Sequence, residues 1–504
     1  MLDKLWTVHW VSDALDIPVG RHPVLDEWRD LVEREDAYGL EPGDPFMLDP
    51  EYRVDIRLTR FFSRSSFAHL AKTTKKSYTA DYRVFFDFLW QRGKDWDAAT
   101  ADDLLDFEDW RRRSPRNMAR ISGAKWNREL AALRRLYEWA ARQGHVGASP
   151  VAVRTVRGRH GDLVEVAQAW ARDVRSSNVK WLTPRAFRLW RDVGLRGYTA
   201  EGRRDASWRG RHDDRNAAFA DLLFSSGLRR TEAGSLLTIE LPALAGAQRH
   251  FDAQLAAAVA KGKRPRTFYI AAAALRDIEA YCATTRRAVI RRAQAAGRYD
   301  DLGGVWLVTK VTGRARRELH WLDRRGRAGK GSLNSLDPDE RRLLFVRGES
   351  GLEPLWLWLS EDGTPFGEHS WEAVFRAGSQ RCARVLDGIV ASPPFATPHM
   401  CRHSFALHML VALHHAMDLR FGLTAEERRD YRLLYGDPWR MVKDLLGHAS
   451  EQTTRDIYLA PVSDLQVRSL LAEDDDSGVA ELLTRIAAAS DRVQDTALVS
   501  EGVA

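Results

Sequence analysis

Residues 397–410 read TPHMCRHSFALHML. Thr397 can cap a helix, and Pro398 suits its first turn. His399, Arg402 and His403 then stand at i, i+3 and i+4, on one side of the helix start. Phe405, Ala406, Met409 and Leu410 carry the helix on as an apolar run. Two histidines and an arginine at a helix start make a good phosphate site, because the free N–H groups and the positive dipole end add to the side chains. Capping plus a buried, hydrogen-bonded histidine is the plainer reading. A zinc pair is disfavoured, because the acid and third ligand of an HExxH site are missing.

Three further clusters stand around this one. Upstream, SGLRRTEAGSLL (226–237) follows an apolar helix, and Arg229 and Glu232 are three apart, so both face one side of a helix. AKGKRPRTFYI (260–270) is a basic turn before a β-like run. Lys261 and Lys263 are the only lysines between Lys180 and Lys310. Lysine can release a proton near neutral pH where arginine effectively cannot, so a lysine kept in an arginine-rich chain invites a reason. Downstream, LLGHASEQTTRDIYLAP (445–461) sets His448 in a glycine turn and Tyr458 ten residues later. Taken singly, these are also what a surface ion pair, a solvated hairpin and a core tyrosine look like.

The chain has 504 residues and a formal charge of +7, with 44% hydrophobic and 29% charged residues. That is the balance of a soluble globular protein of several domains, and it excludes a collagen, a mucin or a mostly disordered chain. No run of 18 apolar residues suggests a membrane span, and the acidic N-terminus does not read as a secretory signal. Cys282, Cys382 and Cys401 are odd in number and scattered, which argues against a disulfide framework or a zinc ribbon and for a reducing cytoplasm. Residues 1–50 carry 12 acids and 4 bases, residues 471–504 carry 8 and 2, and +21 is left for residues 51–470. A basic body with acidic ends points to a polyanion partner, most simply nucleic acid. Only 12 of the 77 basic residues are lysine. The arginine fork suits phosphate, although a G+C-rich genome also favours arginine.

The periodicities predict a mainly α chain with a small β-sheet (α+β). Residues 1–50 read as an acidic extension. A helical block over 51–155 holds helices near 73–93, 99–113 and 127–144, with Thr73 or Thr74 capping the first. Its polar faces carry Lys72, Lys75, Lys76, Arg83, Lys125, Arg128, Arg134 and Arg135, a candidate DNA clamp. Residues 156–180 read as a linker. A second domain spans 181–470, with Thr183 and Pro184 starting its first helix, strands and turns near 261–271 and 305–325, and insertions near 196–215, 326–354 and 412–438. Residues 471–504 are an acidic tail, in which Val479, Leu482, Leu483 and Ile486 form a stripe. That stripe suits docking on a second protomer or folding on its own domain.

In order, GLRxxE, KGK before a strand, HxxRH, LGH and a following tyrosine resemble the tyrosine recombinases, the lambda-integrase, Xer and Cre family. The resemblance covers 55–152, like the family's helical core-binding (SAM-like) domain, and 181–470, like its catalytic domain. It implies a site-specific integrase or transposase of a mobile element, bacterial or phage-encoded, that cleaves duplex DNA through a 3′-phosphotyrosine without metal, ATP or another cofactor. It implies Tyr458 as nucleophile and Arg229, Arg402 and His448 on the phosphate oxygens. It further implies Lys261 as the general acid, with Lys263 as substitute, and His399 as the acid/base on the tyrosine. It implies that Glu232 orients Arg229 and that His403 supports the fold. A homotetramer on two DNA sites is implied, with room for accessory proteins. The alternatives are a type IB topoisomerase-like nicking-closing enzyme and an Xer-like resolvase. The spacing of 46 residues from Arg402 to His448 exceeds the family's usual spacer.

Overall fold

A computed structural model describes residues 5–11, 37, 39–41, 43–157, 163–173, 179–300, 302, 304–313, 317–415, 437–448, 454–455, 479–489 and 492–495. The chain divides into two compact units, residues 1–176 and 177–504. Both are mainly helical, with small sheets.

The first unit is built on α1 (Ile56–Arg64), α2 (Lys72–Trp90), α3 (Ala101–Arg112) and α4 (Gly123–Arg142). Tyr82, Phe85, Phe86 and Leu89 of α2 and Leu130, Leu133, Tyr137 and Ala140 of α4 are buried together, as their spacing predicts. At α3, Thr100 and Asp103 form a reciprocal capping box, with bonds of 3.2 and 2.9 Å. The cap of α2 differs from expectation. Ala71 sits at that position without a side-chain bond, and Thr73 and Thr74 lie inside the first turn.

Two stretches read as appendages take part in this unit. Strands β1 (Thr7–Trp10) and β2 (Pro45–Leu48) pair antiparallel, and Trp6 and Met47 enter the same core. The end of the predicted helical block and the stretch read as a linker together form an antiparallel hairpin, β3 (Val153–Arg157) and β4 (Leu163–Ala167). Val153, Thr155 and Arg157 of β3 are exposed and Arg154 and Val156 half-buried, so the apolar residues do not keep to one face and give no period-2 signal. The cationic faces are also less bare than the sequence suggests. Asp44 pairs with Lys75 at 2.8 Å, Asp81 takes Lys125 and Arg128, and Arg134 meets Glu138 and Glu165. Lys76 and Arg83 stay exposed.

In the second unit, α5 (Pro184–Trp190) begins at the expected Thr183 cap, whose hydroxyl accepts from the Ala186 N–H. The buried helix α6 (Asp213–Ser226) leads into the short α7 (Arg230–Gly234). A hairpin of β6 (His250–Leu255) and β7 (Arg266–Ala271) follows, then α8 (Ala272–Tyr281) and α9 (Arg287–Ala295). Residues 326–354, read as an irregular insertion, instead complete a five-stranded sheet. Its strands are β8 (Trp306–Thr312), β9 (Glu318–Leu322), β10 (Ala328–Ser332), β11 (Leu344–Gly348) and β12 (Gly351–Pro354), in the order β10-β9-β8-β11-β12. Near 196–215 the loop is held by Arg381, which bonds the Val193 and Tyr198 carbonyls and Asp205.

The unit closes with α11 (Ser370–Val385), α12 (Pro398–His415), α13 (Pro438–Leu446), α14 (Val479–Ala489) and β13 (Val493–Gln494), where α10 (Pro338–Arg342) precedes β11. Leu483 and Ile486 of the predicted stripe pack with Trp181, Phe405, Leu410 and Val442. Strand β13 pairs parallel with β5 (Trp181–Leu182). Of the two readings of the tail, the described part takes the one in which it folds on its own unit. Most of the 412–438 insertion (416–436) lies outside the described residues.

Candidate active site

Three turns of the second unit are tied to one another by two buried charged side chains. The first turn is Gly227–Arg229, between α6 and α7. Gly227 has φ +66, and a Cβ there would stand 2.3 Å from the Phe405 ring of α12. Only glycine meets both the left-handed backbone and this close approach. The second turn is Gly447–His448 after α13, where Gly447 has φ +64 and caps the helix. Arg402 of α12 links the two. Its Nη1 donates to the Gly227 carbonyl at 2.5 Å, and its Nη2 to the Leu446 carbonyl at 2.6 Å.

Glu232 supplies the other tie. It is fully buried and accepts from the Arg229 backbone N–H at 2.9 Å and from Arg229 Nη1 at 2.8 Å. Arg229 thereby stands at the helix boundary rather than inside a helix, with Glu232 one turn on. The same carboxylate accepts from Arg266 of β7 at 2.5 and 3.2 Å and from the Lys261 N–H at 3.4 Å. Burial alone would push the Glu232 carboxyl up, but the Arg266 bonds and charge, joined by Arg229, hold it at about 2.

Arg266 is the residue that the sequence reading missed. It stands beside the third turn, at Lys261–Lys263, and its aliphatic stem and guanidinium also lie 3.2–3.4 Å from the Cβ position of Gly447, so it touches the second turn as well. The available signal was its place at the mouth of the KGKRPR strand, where a buried carboxylate requires a cation.

His399 lies at the exposed start of α12, where Thr397 Oγ1 accepts from the Met400 N–H, as expected of a cap. The protein packed around its ring, then the fields of Arg402, Arg229 and Lys261, lower its pKa. His448 is pushed down to about 4 by burial, then by Arg402, Arg229, Arg266 and His399. Its Nδ1 lies 2.9 Å from Thr454 Oγ1, a second partner absent from the sequence reading. When the hydroxyl donates to Nδ1, the ring proton sits on Nε2, the donor left for an anion. His403 is buried edge-to-face against His399, with ring centroids 4.2 Å apart, and burial first, then its charged neighbours, hold its pKa at about 2.

The two lysines part ways. Lys263 has φ +56, and its Nζ is bonded to the Ala258 carbonyl at 3.0 Å. Lys261 is exposed, and its charge is felt by His399. Arg229, Lys261, His399, Arg402 and His448, which span residues 229 to 448, therefore share one electrostatic site. Tyr458 lies outside the described residues. Such a cluster of guanidinium, imidazole and ammonium donors can bind a phosphoryl group and stabilise charge growing on its oxygens. Among the described residues, no group of three or more His, Cys, Asp or Glu could hold a metal ion, and no helix is long and apolar enough to cross a membrane.

Residues 65–144 match the phage integrase N-terminal SAM-like domain. No curated protein sequence matches the chain. Solved structures that are similar include the XerH site-specific recombinase bound to a palindromic difH substrate (TM-score 0.42, 12% identity, 83% of this chain and 83% of that one). The Tn1549 transposon integrase in complex with circular intermediate DNA has a TM-score of 0.40 and 14% identity, over 80% and 93% of the two chains. The XerA recombinase has a TM-score of 0.31 and 14% identity, over 84% and 100%.

Proposed function

We infer that this chain is a tyrosine recombinase of the phage-integrase family, a DNA strand-transferase that cuts and rejoins duplex DNA at specific sites of a mobile element. The observation that carries the reading is the convergence of Arg229, Arg402, His399 and His448 from separate segments, in a chain with an integrase SAM-like domain at 65–144.

The chemistry follows from the residue types. The Tyr458 phenol attacks the scissile phosphorus, and the P–O5′ bond breaks. A 3′-phosphotyrosine forms and a 5′-hydroxyl leaves. The phenol has an ordinary pKa of about 10, so it needs a base and a positive field to lose its proton. His399, held neutral, is suited to take that proton. Arg229 and Arg402 stabilise the added charge on the two non-bridging oxygens, and His448 donates one more bond. Lys261 protonates the departing 5′-oxygen. The fixed Nζ of Lys263 favours Lys261 for this role. The phosphodiester energy is kept in the tyrosine ester, so religation by the reverse steps needs no ATP.

On this reading the helical block near 51–155 clamps the duplex, and the 181–470 region does the chemistry. Four protomers on two sites, in the cytoplasm, complete the scheme. The test is to express the wild type and Tyr458→Phe in cells that carry the flanking element, lyse under denaturing conditions and sequence protein-bound DNA. Adducts at discrete sites, absent from the variant, are expected. Scattered adducts would instead indicate nicking and closing without a partner site, and none in the wild type would contradict strand transfer.

A further inference from the structure

The five-stranded sheet presents an open cationic row that the strand-transfer site does not use. In the paired register, Lys310 of β8 lies opposite His320 of β9, and His320 lies opposite Lys330 of β10. Directly opposed residues share a face, and neighbouring strands are about 4.8 Å apart, so the row spans roughly 10 Å. Lys310 and Lys330 are exposed, and the His320 side chain is 37% exposed.

The register is pinned from the other face. Trp321 stacks on Trp306 at 4.6 Å, with the rings within 4° of parallel. A Cβ at Gly329 would stand 2.4 Å from the Trp321 indole nitrogen, and one at Gly331 would stand 3.1 Å from the ring. Leu319, on that same face, is fully buried. The Gly-Lys-Gly alternation of β10 therefore admits the indole inward and sends Lys330 outward. A slip of one residue would drive a lysine into Trp321.

Like charges placed directly opposite across strands are destabilising. Here the one acid on the row's own strand that meets it is Glu318, 3.2 Å from His320 Nε2. Among the described residues no carboxylate pairs with Lys310 or Lys330. The stretch 306–332 holds eight Lys and Arg against two acids, Glu318 and Asp323, and Asp323 is already paired with Arg327. Two of the chain's 12 lysines stand in this one row.

We propose that the Lys310–His320–Lys330 face is a second contact to the phosphate backbone of duplex DNA, outside the segment being cut. The proposal rests on the strand-transfer reading for the choice of DNA as the polyanion, and on the charge complementarity of an open, register-locked face. Neutralised phosphates release their counterions, so each lysine adds about 0.9 to the slope of log affinity against log salt.

The experiment is binding of a random-sequence duplex of about 40 base pairs by the full chain at several salt concentrations. Lys310→Gln/Lys330→Gln should lower the slope by about 2, so that affinity falls about ten-fold less between 50 and 200 mM salt than in the wild type. Lys310→Arg/Lys330→Arg should keep the wild-type slope. An unchanged slope in the glutamine variant, as expected if the face meets an acidic protein, overturns the proposal, and so does an equal loss in the arginine variant. Wild-type adduct formation is scored separately. Its absence would sink the strand-transfer reading, whereas the slopes decide the sheet.

Discussion

Arg266 donates to both oxygens of the buried Glu232, Nη2 to Oε2 at 2.5 Å and Nη1 to Oε1 at 3.2 Å. The bond joins the Lys261 hairpin to the Arg229 turn, and the Arg266 side chain also rests against Gly447. It thus holds three parts of the site in register without standing among the groups assigned to the phosphate. Arg266→Ala leaves a buried carboxylate with fewer cations, which costs about 3–5 kcal/mol in comparable pairs. The variant should unfold at lower denaturant. Arg266→Ala/Glu232→Gln should recover part of the loss, because the stranded charge is gone. A single variant as stable as the wild type would refute the tie.

Gly227 couples a positive φ to the Phe405 ring. Gly227→Ala should lower stability by about 2 kcal/mol or more from backbone strain and the 2.3 Å clash together. Alanine at Gly388, where φ is +70 and nothing lies within 4 Å of the Cβ position, should cost less. Urea unfolding of the two variants checks this, and equal losses would count against the close approach.

Acid should destabilise the second unit. His448 and His403 are held at about 4 and about 2 in the fold, against an ordinary 6.5. Below 6.5 the unfolded chain takes up protons that the fold refuses, so stability is lost as pH falls from 6.5 toward those values. Glu232 acts in the same direction lower down, its contribution present above its ordinary 4.5 and lost as pH falls through about 2. Asp221 opposes them. Burial, against the pull of Arg191, raises it to about 6, so its contribution is present below the usual carboxylate range and lost as pH rises through 6. Between pH 6.5 and 6 the histidines should prevail. The denaturant midpoint should fall over that interval, and a rising midpoint would contradict the buried neutral imidazoles.

What could be read from the sequence, and what could not, divides by range. The starts of α5 and α12 were legible, because Thr183-Pro184 and Thr397-Pro398 act within one turn. So was the grouping of Arg229, Arg402 and His448, but only through the resemblance, since spacing carries no distance between segments 175 residues apart. Arg266 was missed because its partner lies 34 residues away and arginine is common in this chain. The cationic face of the helical block was overread, because Asp44 reaches Lys75 from 31 residues upstream. Strand β10 looked like a loop, because its glycines answer to Trp321 rather than to a turn.

The assignment of Lys261 over Lys263 has a chemical test. A duplex whose 5′-bridging oxygen is replaced by sulfur has a leaving group that departs without a proton. Lys261→Ala should cut the ordinary duplex at least 100-fold more slowly, the lower bound for a general acid, and should cut the sulfur-bridged one at near the wild-type rate. Lys263→Ala should leave both rates within a few-fold of the wild type. Rescue of Lys263→Ala and not of Lys261→Ala would reverse the assignment.

Strand transfer by this site requires covalent attachment of DNA to one tyrosine. The most direct measurement is to trap the adduct on DNA, trim it with nuclease and locate the modified peptide by mass spectrometry. A 3′-linked nucleotide is expected on Tyr458 and on no other residue. A nucleotide on Tyr431 or Tyr435, both in the 412–438 insertion, or one joined through its 5′-phosphate, would contradict it.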